Sequence, residues 1–277
     1  MPNPNPIYTG KPFSLAHMRR VFAMSDPVKL AAMVSLMPGD YFYRAYEFNE
    51  PTLHTDWTAV RDSGNTATNF AYNAQRNGAL QGVTSGTDDS SFALHYHGAI
   101  FDPADKPFIW FRWVAPAAVS GFAFETGFSD PKTDEALPAC TALTALSSNE
   151  TTPTIGNGVT DVGAVAMDTD LTLTTAALIG DGTTGAAVGQ GILNGAGTVW
   201  TPTAGGIIDV FLGVEANKTR CWIWDSGAPV GVMREITNGP DSGVLVRPYI
   251  MMRTRNTTSK TINLLKAVVV AEENRTS

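Results

Sequence analysis

The chain has 277 residues, of which 43% are hydrophobic and only 16% charged, and its formal net charge is −7. This balance argues against a nucleic-acid partner, because neutralising phosphates requires clustered Lys and Arg. No run of about 18 apolar residues is present, so no membrane contact is predicted. Residues 1–10 lack a basic stretch followed by an apolar one, so no secretory signal is expected.

Residues 1–39 are predicted to form an attachment segment outside the main domain. Four prolines within the first 12 residues exclude helix and favour an extended arm. Residues 14–37 show the only persuasive helical pattern, with Ser14 as an N-cap and Pro27 at the start of a second short helix. These helices either fill the chain's own core or dock on another subunit. Their candidate interface residues are Met18, Phe22, Leu30, Met33 and Met37.

Residues 40–277 are predicted to form one β domain. Segments of about 5–10 residues with strand composition follow one another with almost no helix between them, which is typical of an antiparallel sandwich. These segments are residues 40–48, 56–60, 79–84, 92–97, 107–114, 121–128, 159–167, 171–178, 207–215, 220–224, 228–232, 244–252 and 262–271.

The stretch 107–128 gives the clearest pattern in the chain. Phe122, Phe124 and Phe128 share one face of a predicted strand, as a half-buried strand requires. The preceding strand, 107–114, is apolar on both faces and is therefore expected to be covered on both. One cover is the opposite sheet, and the other is either another part of this chain or another molecule. Trp110 and Trp113 are therefore candidate interface residues.

Trp222 and Trp224 share one face of a later predicted strand, opposite Cys221. An exposed pair would form a platform for sugars, whereas a buried pair would belong to the core or to a subunit contact. Burial is favoured because indole rings contribute most where they lose water, and both residues are candidate interface residues. For Cys140 and Cys221, two reduced thiols are favoured over one disulfide.

Several polar residues are candidate metal ligands by residue type and spacing. His95 and His97 lie on one strand face, and two such imidazoles can bind a metal. Carboxylates in loops can bind calcium, but turn chemistry explains Asp in loops without a metal. No metal or other cofactor is therefore predicted. The candidates for these sites are His54, Asp88, Asp89, Asp102, Asp105, Asp130, Asp134 and Glu135.

The sequence also argues against an enzyme. Glycoside hydrolysis needs two carboxylates facing each other across a cleft, whereas Glu125, Asp209 and Glu215 each stand alone on their predicted strands. No Gly-x-Ser-x-Gly, phosphate loop or Cys–His–Asn grouping is evident. No catalytic residue is predicted.

The order of these pieces adds a family resemblance over about residues 40–272. The motifs that carry it are Asp56-Trp57, Ala93-Leu94-His95-Tyr96, Pro107-Phe108-Ile109-Trp110-Phe111, Gly127-Phe128-Ser129-Asp130, Asp225-Ser226-Gly227 and Pro248-Tyr249-Ile250. Their order and spacing resemble the concanavalin-like (laminin-G-like) jelly roll of tailed-bacteriophage virion proteins. The expected fold is thus all-β, a two-sheet antiparallel jelly-roll sandwich with an N-terminal extended arm and short helices.

The resemblance implies a non-enzymatic structural protein, most often a capsid decoration or minor head protein. Its partners would be the major capsid protein or other virion proteins and sister subunits in a homo-oligomer. Its location would be the virion, assembled in the host cytoplasm. The same fold also serves lectins and glycan-degrading enzymes. The alternative is a carbohydrate-binding module for host attachment, with a glycan as its partner.

Overall fold

A computed structural model describes residues 41–48, 52–61, 70–73, 79–97, 100–130, 140–143, 153–155, 159–169, 173–182, 188–193, 199–227 and 232–272. The predicted arm and helices of residues 1–39 lie outside the described residues. The same holds for the interface candidates within them, which are Met18, Phe22, Leu30, Met33 and Met37.

The described part of the chain is built almost wholly of strands, and its one helical element is a 3-10 turn at Pro103–Asp105. The strands are β1 (Tyr41–Glu47), β2 (Trp57–Arg61), β3 (Phe70–Asn73), β4 (Ala79–Val83), β5 (Ser91–Tyr96), β6 (Phe108–Val114), β7 (Phe122–Ser129), β8 (Cys140–Leu143), β9 (Pro153–Ile155), β10 (Val162–Asp168), β11 (Leu173–Asp181), β12 (Val188–Gly191), β13 (Ile207–Glu215), β14 (Lys218–Asp225), β15 (Val232–Ile236), β16 (Arg247–Thr254) and β17 (Thr261–Glu272).

Two large antiparallel sheets contain most of these strands. The eight-stranded sheet has the order β15-β14-β13-β6-β17-β4-β3, and β1 also pairs with β17. The seven-stranded sheet has the order β12-β11-β10-β7-β16-β5-β2. Strands β8 and β9 form a separate hairpin, and β8 lies against β10. The predicted all-β antiparallel sandwich is confirmed.

The core lies between the two sheets and follows from the alternation of side chains along each strand. From the eight-stranded sheet, Ile109, Phe111 and Trp113 point inward and are fully buried. These side chains pack against the phenylalanines of β7 in the seven-stranded sheet. The ring centroids of Trp113 and Phe124 lie 5.2 Å apart. Each such buried aromatic or aliphatic side chain contributes about 1.5–3 kcal/mol. The two-face pattern predicted for residues 107–128 is confirmed.

Some strand bounds differ from the sequence prediction. β14 begins at Lys218 because the turn before it is tight, with Asn217 in the left-handed region at φ 59°. β15 begins at Val232, which is where the predicted strand 228–232 ends, and residues 228–231 lie outside the described ranges. β3, β8, β9 and β12 have short sequences without a clear alternation and were not predicted individually.

Candidate functional site

Four aromatic rings line the side of the eight-stranded sheet that points away from the core. They are Phe108, Trp110, Phe211 and Trp222, here called the aromatic face. Ring centroids are 5.2 Å apart between Trp110 and Phe211 and 4.8 Å apart between Phe211 and Trp222. The strand register explains the cluster, because Phe211 lies directly between Trp110 on β6 and Trp222 on β14.

The aromatic face is buried although it is not part of the core between the sheets. The exposed fractions are 9% for Phe108, 2% for Trp110, 1% for Phe211 and 5% for Trp222. Strand β17 adds two buried valines in register, Val268 beside Trp110 and Val270 beside Phe108. An antiparallel sheet with one face in water normally carries polar residues on that face. The rings are therefore already shielded from water within the single chain, in part by Arg112 and Lys266 over Trp110.

A buried carboxylate stabilises one side of the aromatic face. Asp209 is fully buried and accepts three hydrogen bonds, from Trp110 Nε1 at 2.7 Å and from Arg112 Nε and Nη2 at 2.8 and 2.9 Å. The guanidinium of Arg112 and the ammonium of Lys266 also lie over the indole of Trp110, 5.4 and 5.3 Å from its ring. A buried charge persists only when it is paired and hydrogen-bonded, so Asp209 serves as a structural anchor.

The tryptophans chosen from the sequence occupy three different environments. Trp110 and Trp222 belong to the aromatic face, and Trp224 lies half-buried on the same side of β14. The favoured burial is confirmed for Trp222, which removes the open sugar platform considered for the Trp222–Trp224 pair. Trp113 lies in the core with 0% exposure and so offers no surface to a partner.

The outer side of the seven-stranded sheet has a different character. Here Tyr249 on β16 donates a hydrogen bond to Glu125 Oε2 on β7 at 3.2 Å, and both side chains are buried. His95 on β5 pairs in register with Tyr249 and is also buried. Most of the surrounding positions are small, including Gly127, Ala164, Ala166 and Ala177, and this surface is called the small-residue face.

Glu125 has no carboxylate beside it on this sheet. Its register neighbours are Met251 on β16 and Ala166 on β10. The other two carboxylates considered for catalysis are already paired, Asp209 with Arg112 and Glu215 with Arg220 at 3.1 Å. The two-carboxylate arrangement of glycosidases is therefore not formed around Glu125.

Several of the residues considered as metal ligands are bonded to protein groups, whereas Asp134 and Glu135 lie outside the described residues. Asp102 accepts hydrogen bonds from the backbone N–H groups of Ala104 and Gly243, and Asp89 pairs with Arg255. His97 is exposed and bonded to Thr58, whereas His95 is buried. Across the described ranges, no group of three His, Cys, Asp or Glu side chains is placed to hold a metal ion.

The thiol of Cys221 on β14 is chemically unreactive. Cys221 is a free cysteine inside the core, and burial raises the pKa of its thiol to about 12. A thiol that stays protonated is neither a nucleophile nor a metal ligand. The side chain of Cys140 lies outside the described residues. Among the described elements, no helix is long and apolar enough to cross a membrane.

A pocket of about 370 Å³ lies at the end of β1 and is here called the edge pocket. Tyr46 is one of its lining residues, and the hydroxyl of Tyr46 donates to Asp56 Oδ2 at 2.5 Å. The ring of His54 meets that of Tyr46 edge-on, with centroids 5.1 Å apart. The lining residues are Ala45, Tyr46, Glu47, Phe48, Thr52, Leu53, His54 and Leu80.

The sequence does not predict the edge pocket, and His54 is expected there only as a possible metal ligand. Glu47, which lines the pocket, pairs with Lys266 although the two residues are 219 positions apart. The available signal was the cluster of aromatic and acidic residues at 41–57.

No protein-family model and no curated protein matches this chain. Solved structures do resemble it. The crystal structure of SO2946 from Shewanella oneidensis MR-1, a protein of unknown function, is 11% identical with a TM-score of 0.55, and the match covers 98% of this chain and 100% of that one. Lectin II from Ulex europaeus is 14% identical with a TM-score of 0.52, covering 84% of this chain and 100% of that one. The lectin UEA-II in complex with galactose is 14% identical with a TM-score of 0.51, and the match covers 84% of this chain and 100% of that one.

At these identities the likeness establishes the fold alone. The chain is a concanavalin-like, legume-lectin-like β-sandwich, which confirms the predicted jelly-roll fold.

Proposed function

We propose that this protein is a non-enzymatic structural protein of a virus particle, a capsid decoration or minor head protein. Its work is to bind the capsid and its own sister subunits. The observation that carries the proposal is the aromatic face, where four rings are buried on the outer side of a sheet. The assignment to a virus particle rests on the resemblance in motif order.

The aromatic face is suited to holding protein firmly. Each buried aromatic side chain gains about 1.5–3 kcal/mol when it leaves water, and aromatic residues are enriched at the centres of protein interfaces. The charged groups next to it are already compensated, because Asp209 is bonded to Arg112. Because the four rings are only 1–9% exposed within the single chain, a partner would bind beside the aromatic face rather than on bare rings, with little desolvation cost from unpaired charge.

The attachment segment of residues 1–39 precedes β1 in the sequence. β1 begins at Tyr41 and pairs with β17, the strand that supplies Val268 and Val270. We propose that the segment acts together with the aromatic face in holding sister subunits and the capsid. The apolar set Met18, Phe22, Leu30, Met33 and Met37 supplies the matching apolar contacts.

The arrangement of carboxylates supports a role without catalysis. Glu125 is bonded to Tyr249 and is buried, and Asp209 and Glu215 are paired with arginines. None of the three combines an open position with a second facing carboxylate, which hydrolysis of a glycosidic bond requires.

The experiment is quantitative mass spectrometry of purified particles from cells that encode the chain. We expect its peptides at a fixed ratio to the major capsid protein. A double change of Phe22 and Met33 to Asp should abolish incorporation while circular dichroism shows an intact sandwich. The matched control places the same two charges in the polar arm, with Asn3→Asp and Asn5→Asp, and should incorporate normally. Absence of the peptides from particles, or normal incorporation of the Phe22/Met33 variant, would contradict the proposal.

A second candidate function is carbohydrate binding. Two of the similar solved structures are lectins, one of them in complex with galactose. The observation in this chain that favours it is the edge pocket, which combines apolar and hydrogen-bonding groups in a volume of about 370 Å³.

A further inference from the structure

We propose that the edge pocket binds a single unit of a neutral saccharide. This inference rests on the second candidate function and is independent of assembly into a particle. The pocket lies between the end of β1 and the segment leading into β2, so both sheets contribute to its position.

The apolar part of the pocket is firmly placed. Phe48 and Leu80 are buried members of the core, and Leu53 packs against them. They give a fixed apolar wall on one side of the pocket. The C–H groups of a sugar ring can pack against such a wall, as ligand sites typically combine apolar walls with a few placed polar groups.

The polar part of the pocket offers both a donor and acceptors. His54 Nδ1 accepts a hydrogen bond from the backbone N–H of Asp56 at 3.1 Å. In the neutral ring the proton then sits on Nε2, which becomes a donor. Glu47 supplies carboxylate oxygens, and the hydroxyl of exposed Thr52 can donate or accept. Sugar hydroxyls both donate and accept, so they match this mixture.

The charges around the pocket favour a neutral ligand. The carboxylate of Glu47 is paired with Lys266 Nζ, and that of Asp56 accepts from Tyr46. Burial, and after it the hydrogen bond to Asp56, raises the pKa of Tyr46 far above its usual range, so this hydroxyl remains a donor. A phosphorylated sugar would meet two carboxylates, and an amine would compete with a lysine already in place.

The framework of the pocket is rigid before any ligand arrives. The ring of Tyr46 contacts the rings of Trp57 and Tyr96, with centroids 5.5 and 5.8 Å apart, and the two tyrosine hydroxyls are 3.0 Å apart. Pre-formed sites lose little entropy on binding. Ligand pockets span about 300–1,000 Å³, and a volume of about 370 Å³ lies at the small end of that range. The occupant is therefore one sugar unit rather than a long chain lying in a groove.

The test is saturation-transfer difference NMR and calorimetry on the full chain. The probes are D-galactose, D-glucose, D-mannose and N-acetyl-D-glucosamine, with glucose 6-phosphate and glucosamine as charged comparisons. We expect at least one neutral sugar to bind and both charged analogues of glucose to bind more weakly than glucose. The Kd of a tetrasaccharide of the tightest-binding sugar is then compared with that of the monosaccharide. A site for the end of a saccharide chain should bind the tetrasaccharide at least as tightly, whereas a site for the free sugar should bind it more weakly.

The variants His54→Ala and Glu47→Ala should each raise Kd at least about tenfold, the effect of losing one good polar contact. The matched control is His97→Ala, another exposed histidine, which lies outside the pocket and should bind as the unaltered protein does. Failure of every neutral sugar to bind, unchanged affinity in both pocket variants, or an equal loss in the His97 control would each overturn the inference. None of these results would change incorporation into particles.

Discussion

The outer faces of the two sheets are both buried, but they are built from opposite materials. The aromatic face of the eight-stranded sheet packs four large rings around a carboxylate with three donors. The small-residue face of the seven-stranded sheet carries small side chains such as Ala164 and Ala166 around one Tyr–Glu hydrogen bond, with Val162 and Met251 as its larger apolar members. Large rings lose far more area on burial than small side chains. The comparison therefore assigns the larger packing stabilisation to the aromatic face.

The largest effect is expected at Trp222, with Trp224 as the matched control on the same face of β14. Trp222→Ala should cost about 3–5 kcal/mol, the usual range for a buried aromatic residue. Trp224→Ala, at a half-buried position, should cost less than about 1 kcal/mol. Urea unfolding of both variants measures the difference. Equal costs would mean that the aromatic face is open to water and would remove the contrast between the two sheets.

Asp209→Ala is expected to have the next largest effect. It removes the acceptor of Trp110 Nε1 and leaves Arg112 without its carboxylate, which should destabilise the fold by about 3 kcal/mol. The control is Glu215→Ala on the same strand, because its ion pair with Arg220 is partly exposed and worth about 1 kcal/mol or less. If the two variants unfold at the same urea concentration, Asp209 is not an anchor of the aromatic face.

Part of the environment of β6 could be predicted from the sequence. The two-face pattern of residues 107–114 showed that both sides of β6 are covered, and the strand holds that arrangement. The pattern could not show which strands flank it. The register of β6, β13 and β14 places Phe211 between two tryptophans, and such pairings join residues about a hundred positions apart.

Neither the role of Asp209 as an anchor nor the edge pocket could be predicted from the sequence, and the reason is the same for both. In the sequence, Asp209 is a single carboxylate within an apolar strand, and Arg112 is a single positive charge within another. Two such isolated charges are best explained as an ion pair. In the edge pocket, Glu47 meets Lys266 only because β1 pairs with β17. The domain boundary at residue 39 and the contacts of residues 1–39 stay predictions.

On the small-residue face, a smaller loss is expected from Tyr249→Phe. The change removes the hydrogen bond to buried Glu125 without changing the shape of the ring, and should cost about 1 kcal/mol. A double-mutant cycle with Glu125→Gln isolates the interaction between the two side chains. A coupling energy near zero would show that this bond does not stabilise the seven-stranded sheet.

The smallest effect concerns Asp181, at the end of β11. Burial, and the nearby charges of Asp161 and Asp241, raise the pKa of Asp181 above its ordinary value. The folded state then holds this proton more tightly than the unfolded state. The stability contributed by Asp181 is therefore present in acid and is lost as the pH rises through the raised pKa.

Asp181→Asn should remove this dependence, since an amide carries no charge at any pH and can still accept from the backbone N–H of Gly182. The melting temperature of the variant should exceed that of the unaltered protein modestly at pH 7. The difference should shrink towards zero near about pH 2.5, more than one pH unit below the ordinary pKa of Asp of about 3.9. A difference that is constant with pH would exclude the proposed cause.

The most direct test of the account is hydroxyl-radical footprinting of the full chain in solution, read at individual tryptophans by mass spectrometry. The account predicts that Trp110 and Trp222 are protected from oxidation while half-buried Trp224 is oxidised readily. Oxidation of Trp110 and Trp222 at the rate of Trp224 would show that no protein covers the aromatic face, and would contradict the central claim.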